Sequence, residues 1–150
     1  MNISTTTQEH VVLVNEQDEV LGTMEKLEAH WKGALHRAFS VFLFDDEGRL
    51  LLQQRAAGKY HSALLWTNTC CSHPRPGETL EMAAKRRLKE EMGMDADIRH
   101  RFSFIYKAKF GNGLQEHELD HVYFGRANGS PAPDPDEVSA WRFVEMDALQ

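Results

Sequence analysis

At 150 residues the chain is long enough for one domain that buries about two-thirds of its unfolded surface. A net charge of −6 argues against nucleic acid as a partner, because a phosphate backbone needs a basic surface, yet a few cations gathered in one pocket can still hold a small phosphate ligand. Cys70 and Cys71, the two cysteines, are neighbours, which excludes a disulfide framework and suits a reducing cytoplasm; no apolar run approaches the roughly 20 residues that cross a bilayer, and Met1 to Thr7 lack the apolar stretch of a signal peptide.

Alternation of apolar and polar residues predicts a first strand over Glu9 to Val14 and a second near Val20 to Thr23, joined by a turn through Asn15-Glu16-Gln17-Asp18. Ala38 to Phe44 and Leu50 to Gln54 are apolar runs around Asp45-Asp46-Glu47-Gly48, a hairpin signal. From Arg55 to Pro76 the pattern is irregular, with Gly58, Pro74 and Pro76 marking one long loop, the kind of segment that often carries function. Glu78 to Met92 reads as a helix: Leu80, Ala84, Leu88 and Met92 recur every four residues and Gly93 stops it. A strand from about Ile98 to Lys109, a Gly-Asn-Gly turn at 111–113 and a strand from about Glu116 to Gly125 follow. A Pro- and Asp-rich loop from Asn128 to Glu137 leads to a last strand over Trp141 to Val144 and the start of a helix from Met146 to Gln150. Hairpins around one strong internal helix make this an α+β chain, a single domain over residues 1–150.

The segment Trp66-Thr67-Asn68-Thr69-Cys70-Cys71-Ser72-His73-Pro74 places a thiol, an imidazole and an indole just ahead of that helix. A thiol beside an imidazole serves as a nucleophile, a proton carrier or a metal site. Cys70, Cys71 and His73 suit zinc only with partners from elsewhere, because no second Cys/His pair stands at finger spacing. Near metal-bound groups, Cys71 would have its thiolate favoured and would accept a proton. On the helix, Glu91 falls on the apolar stripe with Leu80, where a carboxylate needs a partner. Two readings stand there: an ion pair with Arg87, or a Mg²⁺ site with Arg87 touching the phosphate that the metal carries. Glu116 and Glu118 project from one strand face that turns apolar at Val122 and Phe124, which points to a buried metal site or a carboxyl of raised pKa. His30 and His36, six apart, carry no signal by themselves, and His10, His61, His100, His117 and His121 receive no functional role. Lys26, Arg55 and Lys59 flank the cysteine stretch; converging with Arg87 they would clamp a diphosphate.

These residues resemble the type 1 isopentenyl-diphosphate isomerases of the Nudix superfamily. The matching segments are Glu25-Lys26-Leu27-Glu28-Ala29-His30, Leu35-His36-Arg37-Ala38-Phe39-Ser40, Arg55-Ala56, Trp66-Thr67-Asn68 with Cys71-Ser72-His73-Pro74, Gly77-Glu78, Arg86-Arg87, Glu91-Met92-Gly93, Tyr106 and Glu116-x-Glu118, and they run through most of the chain. The resemblance implies a Nudix-type fold, a mixed β-sheet with hairpins packed against helices. It implies a cytoplasmic enzyme of isoprenoid biosynthesis that interconverts isopentenyl and dimethylallyl diphosphate through a tertiary carbocation. One Mn²⁺, Mg²⁺ or Zn²⁺ would bind at His30, His36, His73, Glu116 and Glu118. A Mg²⁺ carrying the diphosphate would bind at Glu91, with backbone help near Cys71, and Lys26, Arg55, Lys59 and Arg87 would bind the diphosphate itself. Glu118 would donate a proton with Tyr106 assisting, Cys71 would remove another from the opposite face, and Trp66 would stabilise the cation. A small diphosphate is then the partner of a monomer that binds neither nucleic acid nor membrane.

The chain also departs from its relatives. Nudix hydrolases carry Gly-x5-Glu-x7-Arg-Glu-U-x-Glu-Glu-x-Gly-U, where U is aliphatic; Ser72 stands at the first glycine and Arg87 at the glutamate after the arginine, while Glu78, Arg86, Glu90, Glu91 and Gly93 remain. A cation in place of a metal-binding carboxylate favours phosphate binding without cleavage. Family members continue past the position of Gln150 into a helical lid, so the chain is expected to lack that segment. A Nudix pyrophosphatase acting on a nucleoside diphosphate derivative, and an inactive metal- or diphosphate-binding module, are the alternatives.

Overall fold

The computed structural model describes residues 9–59 and 63–149; the polar N-terminal segment, His61 and the end of the expected last helix at Gln150 lie outside the described residues. Among the described residues nine strands form one sheet. In chain order the elements are β1 (His10–Val14), β2 (Val20–Glu25), α1 (Lys26–Lys32), β3 (His36–Phe44), β4 (Leu50–Arg55), β5 (Trp66–Thr67), β6 (Cys70–Ser72), α2 (Leu80–Met92), β7 (Ile98–Lys109), β8 (Gln115–Arg126) and β9 (Val138–Val144), ending in a 3-10 turn at Met146–Leu149.

β3 organises the sheet. It pairs in parallel with β8, from His36 opposite Glu118 to Phe44 opposite Arg126, and antiparallel with β6, Ser40 opposite Cys71. Successive side chains of a strand point to opposite faces, so β3 has two unlike sides. Phe39, Val41 and Leu43 join Ala83, Ala84, Leu88 and Met92 of α2 in one buried cluster. Each large apolar side chain buried there contributes roughly 1.5–3 kcal/mol. His36 and Ser40 lie on the opposite side, together with Glu118, Asp120 and Val122 of β8. That second side carries the chemistry.

α2 starts two residues later than the spacing predicts, at Leu80, because the Thr79 hydroxyl caps it by accepting from the Met82 N–H at 3.1 Å. Gly93 ends it in the left-handed region, φ 64°, and a Cβ there would run into the Ala132 carbonyl. That close approach ties the 128–137 loop to the helix end: Ala132 N–H donates to the Met92 carbonyl at 2.8 Å and Asp134 N–H to the Glu91 carbonyl at 3.0 Å.

Three expectations are corrected. α1 is absent from the sequence reading, since its seven residues are too few to show a period and only Ala29 and His30 are buried; Glu25 caps it by accepting from Leu27 and Glu28 N–H groups, and Gly33 closes it. The stretch from Arg55 to Pro76 is not one loop, for β5 and β6 lie within it, of two and three residues, too short for alternation to register. Thr69 anchors that stretch, accepting from the Leu43 N–H and donating to the Leu51 carbonyl. The hairpin between β3 and β4 closes only at its mouth, Phe44 opposite Leu50; beyond it β4 pairs with β9 and β5.

Candidate active site

The parallel register of β3 on β8 sets His36 beside Glu118, α1 brings His30, and the chain leaving β6 brings His73. One ligating atom from each of these four residues lies within 4.8 Å of the other three. Glu118 Oε2 is 3.1 Å from His73 Nε2 and 3.7 Å from His36 Nε2, the latter beyond hydrogen-bond length. His36 Nδ1 lies 2.9 Å from the Ala34 carbonyl, which can only accept; Nδ1 therefore carries the hydrogen and Nε2 turns its lone pair into the group. Burial, then the neighbouring histidines, pushes His30 down to about 4, and burial also lowers His73. Both rings are thus neutral, the form that binds metal. Burial works to raise Glu118, but its contacts with His36 and His73 outweigh that and hold the carboxyl well below the usual range. Three imidazoles around one ionised carboxylate, with His36 Nε2 buried and making no hydrogen bond, fit a divalent ion of borderline character.

Glu116, the fifth expected ligand, stands outside this group. It lies opposite Ala108, nearer the β7–β8 turn, and accepts the Tyr106 hydroxyl at 3.1 Å. Burial and the nearby Glu118 charge push its carboxyl up, and burial with Glu116 pushes the Tyr106 hydroxyl up to about 12.

Cys71 is the exposed cysteine and Cys70 the buried one, as alternation along β6 requires. The Cys71 thiol donates to Asn68 Oδ1 at 2.8 Å and touches Ser40 Oγ at 3.6 Å, and Ser40 donates in turn to Asp120 Oδ2 at 2.8 Å. Although the residue reaches solvent, its sulfur sits against the sheet: burial, with Asp120 and Glu118 adding to it, pushes the thiol up to about 12. Without a metal beside it the Cys71 thiol stays neutral, burial first and then the Asp120 and Glu118 carboxyls disfavouring the thiolate. Trp66, expected to stabilise the cation, stands on β5. Its ring lies under the Arg142 guanidinium, 5.3 Å from centre to cation, whereas Phe104 and Tyr106 of β7 stand opposite Asp120 and Glu118.

A cleft of about 110 Å³ adjoins these groups through Ser72 and His73, and Lys26, Lys59 and Arg87 line it together with Arg75 and Arg86. Arg55, the fourth expected cation, does not line it but acts electrostatically on Lys26, as do Lys59 and Arg87; burial first, and then these charges, lower the Lys26 ammonium. The Glu91 carboxylate is held on both oxygens, Arg87 donating to Oε2 at 2.5 Å and Gln53 to Oε1 at 2.9 Å. Arg87 also meets Glu90 at 2.8 Å and Glu137 at 3.1 Å, and Lys59 pairs with the same Glu137 oxygen. Arg86 is held by Glu78 and Glu90.

Sequence reasoning missed Ser40, Asn68, Asp120 and Glu137. Asp120 had a signal, continuing the two-residue spacing of Glu116 and Glu118, and Ser40 is a polar break in an apolar run. Glu137 had none; its place depends on the loop fastened to α2. His10, given no role from sequence, lines the cleft. His100 and His121 pair at 2.9 Å on the far side of β8, His121 reaching Asp18 at 3.0 Å, and His117 bonds the Gly33 carbonyl.

The NUDIX domain family matches residues 34–150. The chain is 55% identical over 142 residues to a protein of Aromatoleum aromaticum named isopentenyl-diphosphate Delta-isomerase 2, covering 95% of this chain and 75% of that one. It is 52% identical over 142 residues to the isopentenyl-diphosphate Delta-isomerase of Burkholderia multivorans, covering 95% and 81%. Among solved structures, the DR0079 protein of Deinococcus radiodurans superposes with a TM-score of 0.77 at 23% identity, over 94% of this chain and 86% of that one, a likeness of fold. With the Cys71 stretch, the histidine group and the cationic cleft gathered on this fold, the chain belongs to the Nudix family and, within it, to the isopentenyl-diphosphate Delta-isomerases.

Proposed function

We propose that this chain interconverts isopentenyl and dimethylallyl diphosphate, as a monomer in the cytoplasm, with residues 1–150 forming one isomerase domain. The observation that carries the reading is the placement of two proton-carrying groups on one side of the sheet, the Cys71 thiol and the Glu118 carboxyl, next to a cationic cleft. The reaction needs that pair. One carrier gives a proton to the terminal alkene carbon, whose π electrons form the new C–H bond and leave a tertiary cation. The other takes a proton from the neighbouring methylene, and those electrons close the new double bond. No atom is gained or lost.

Glu118, with Tyr106 hydrogen-bonded to the adjacent Glu116, and Cys71 are assigned as the two carriers. Phe104 and Tyr106 supply ring surface on the same side of the sheet. Lys26, Lys59 and Arg87, with Arg55 behind them, bind the diphosphate; ionic hydrogen bonds to phosphate oxygens hold the alkene against the thiol. His30, His36, His73 and Glu118 would hold a Mn²⁺, Mg²⁺ or Zn²⁺ and Glu91 a Mg²⁺, supplying positive charge that polarises the carboxyl and neutralises the diphosphate; Glu116 would leave Tyr106 to join the first ion, and Glu91 would give up a contact with Arg87 or Gln53 to take the second. No helix among the described residues is long and apolar enough to cross a membrane.

The test is isopentenyl diphosphate with the protein, Mg²⁺ and Mn²⁺ in deuterated water, following the allylic product and released phosphate together. Deuterated dimethylallyl diphosphate without phosphate release is the expected result. Released phosphate would instead indicate a pyrophosphatase, and neither product would indicate a binding module.

A further inference from the structure

Glu137 lies where a phosphate binder has no evident use for a carboxylate. It lines the cleft, and a single oxygen, Oε1, receives both Lys59 and Arg87, two of the cations assigned to the diphosphate. Its backbone is fastened on both sides: Ala56 N–H donates to the Glu137 carbonyl at 3.0 Å and Glu137 N–H to the Asp134 carbonyl at 2.9 Å. Asp134 is in turn held to the end of α2. The carboxylate is therefore built into the cleft rather than carried there by a loose loop.

We propose that Glu137 is the internal counter-ion of the diphosphate site, which Lys59 and Arg87 exchange for the substrate's phosphate oxygens, so that it sets how tightly the cleft holds a diphosphate. This deepens the isomerase reading and rests on it. Two features of the structure support the exchange. Arg87 keeps Glu90 and Glu91 as partners when Glu137 lets go, so the guanidinium stays in place with donors to spare. Lys59 reaches Glu137 through a flexible stem and can turn to another oxygen without backbone movement. A tethered carboxylate competes with any incoming anion at a high effective concentration. Both substrate and product carry the same diphosphate, so a site without this competitor would hold either one longer than turnover needs.

The experiment is calorimetric titration of inorganic pyrophosphate into the wild-type chain, Glu137→Gln, and Glu47→Gln at the exposed β3–β4 turn, which makes the same change in net charge far from the cleft. Glu137→Gln is expected to bind about tenfold more tightly than wild type, the change that ~1.4 kcal/mol makes, with Glu47→Gln unchanged. In steady state Glu137→Gln should show a lower KM for isopentenyl diphosphate with no gain in kcat. A residue that merely braced the loop would give the opposite, weaker binding and a higher KM; that result, or unchanged binding, overturns the proposal. Equal tightening in Glu47→Gln overturns it too, as an effect of net charge. Glu137→Asp, which keeps the charge, should bind as wild type does, and tightening there would also refute the counter-ion role. If wild type binds no pyrophosphate, the diphosphate reading itself falls and this proposal with it; if wild type binds and Glu137→Gln does not differ, only the proposal falls.

Discussion

The two halves of the candidate site solve opposite electrostatic problems. Around His30, His36, His73 and Glu118 charge is sparse: three imidazole rings face one carboxylate, and the buried Nε2 of His36 has no hydrogen bond. In the adjoining cleft charge is dense and already matched, for Lys59, Arg86 and Arg87 each hold a carboxylate of the same chain. The difference follows from solvation. Neutral imidazoles tolerate burial and can wait for a cation, whereas buried guanidinium and ammonium groups without counter-ions would cost several kcal/mol each. The first half accepts an ion by addition, the second by exchange.

The sharpest way to break this division is Cys71→Ala. Removing a proton carrier should lower the isomerisation rate by about 10²–10⁴-fold while pyrophosphate binding, read by calorimetry, stays as it was. Lost binding instead would mean that the thiol belongs to the anion half. His36→Ala should weaken divalent-metal affinity by at least about 100-fold in chelator competition, again with pyrophosphate binding to the metal-free protein unchanged. Arg87→Ala probes the matched half. It leaves Glu91, only 6% exposed, without its cation, and should cost about 3 kcal/mol in denaturant unfolding. A cost below about 1 kcal/mol would show that these pairs contribute no more than exposed ones.

The smallest effect tests acid sensitivity away from both halves. His121, beside Asp18, Arg37 and His100, has its imidazole lowered from 6.5, by burial first, with Asp18 opposing and His100 adding. The folded ring stays neutral while the unfolded one protonates, so its contribution is complete above about pH 6.5 and is lost as pH falls below it. His121→Gln should therefore lose less Tm than wild type between neutral and mildly acid pH, by about 1–3 °C. An equal loss in both proteins would place the acid sensitivity elsewhere.

Elements with many residues in regular period were legible in the sequence. α2 and the long β7 strand fall where spacing predicts them, because helix and strand periods repeat enough times there to register. α1, β5 and β6 were not legible, although they carry or flank His30, Cys71 and His73; two turns or three residues leave no period. The Glu116 and Glu118 face was readable, and its continuation to Asp120 was there to be read. That Glu116 turns to Tyr106 rather than to the histidines depends on the register of β7 on β8, which no local pattern encodes.

By itself the sequence determined the α+β class, the core face of α2, the family and the residue types that gather at the site. Those follow from local period and from short motifs whose chemistry is intrinsic to their side chains. Only the tertiary structure decided who meets whom. The parallel register of β3 on β8 placed His36 beside Glu118, the bond from Asp134 to the end of α2 brought Glu137 between Lys59 and Arg87, and burial, with the Asp120 and Glu118 carboxyls adding to it, kept the Cys71 thiol protonated. Those outcomes depend on distance and desolvation, which arise when segments far apart in the chain are packed together.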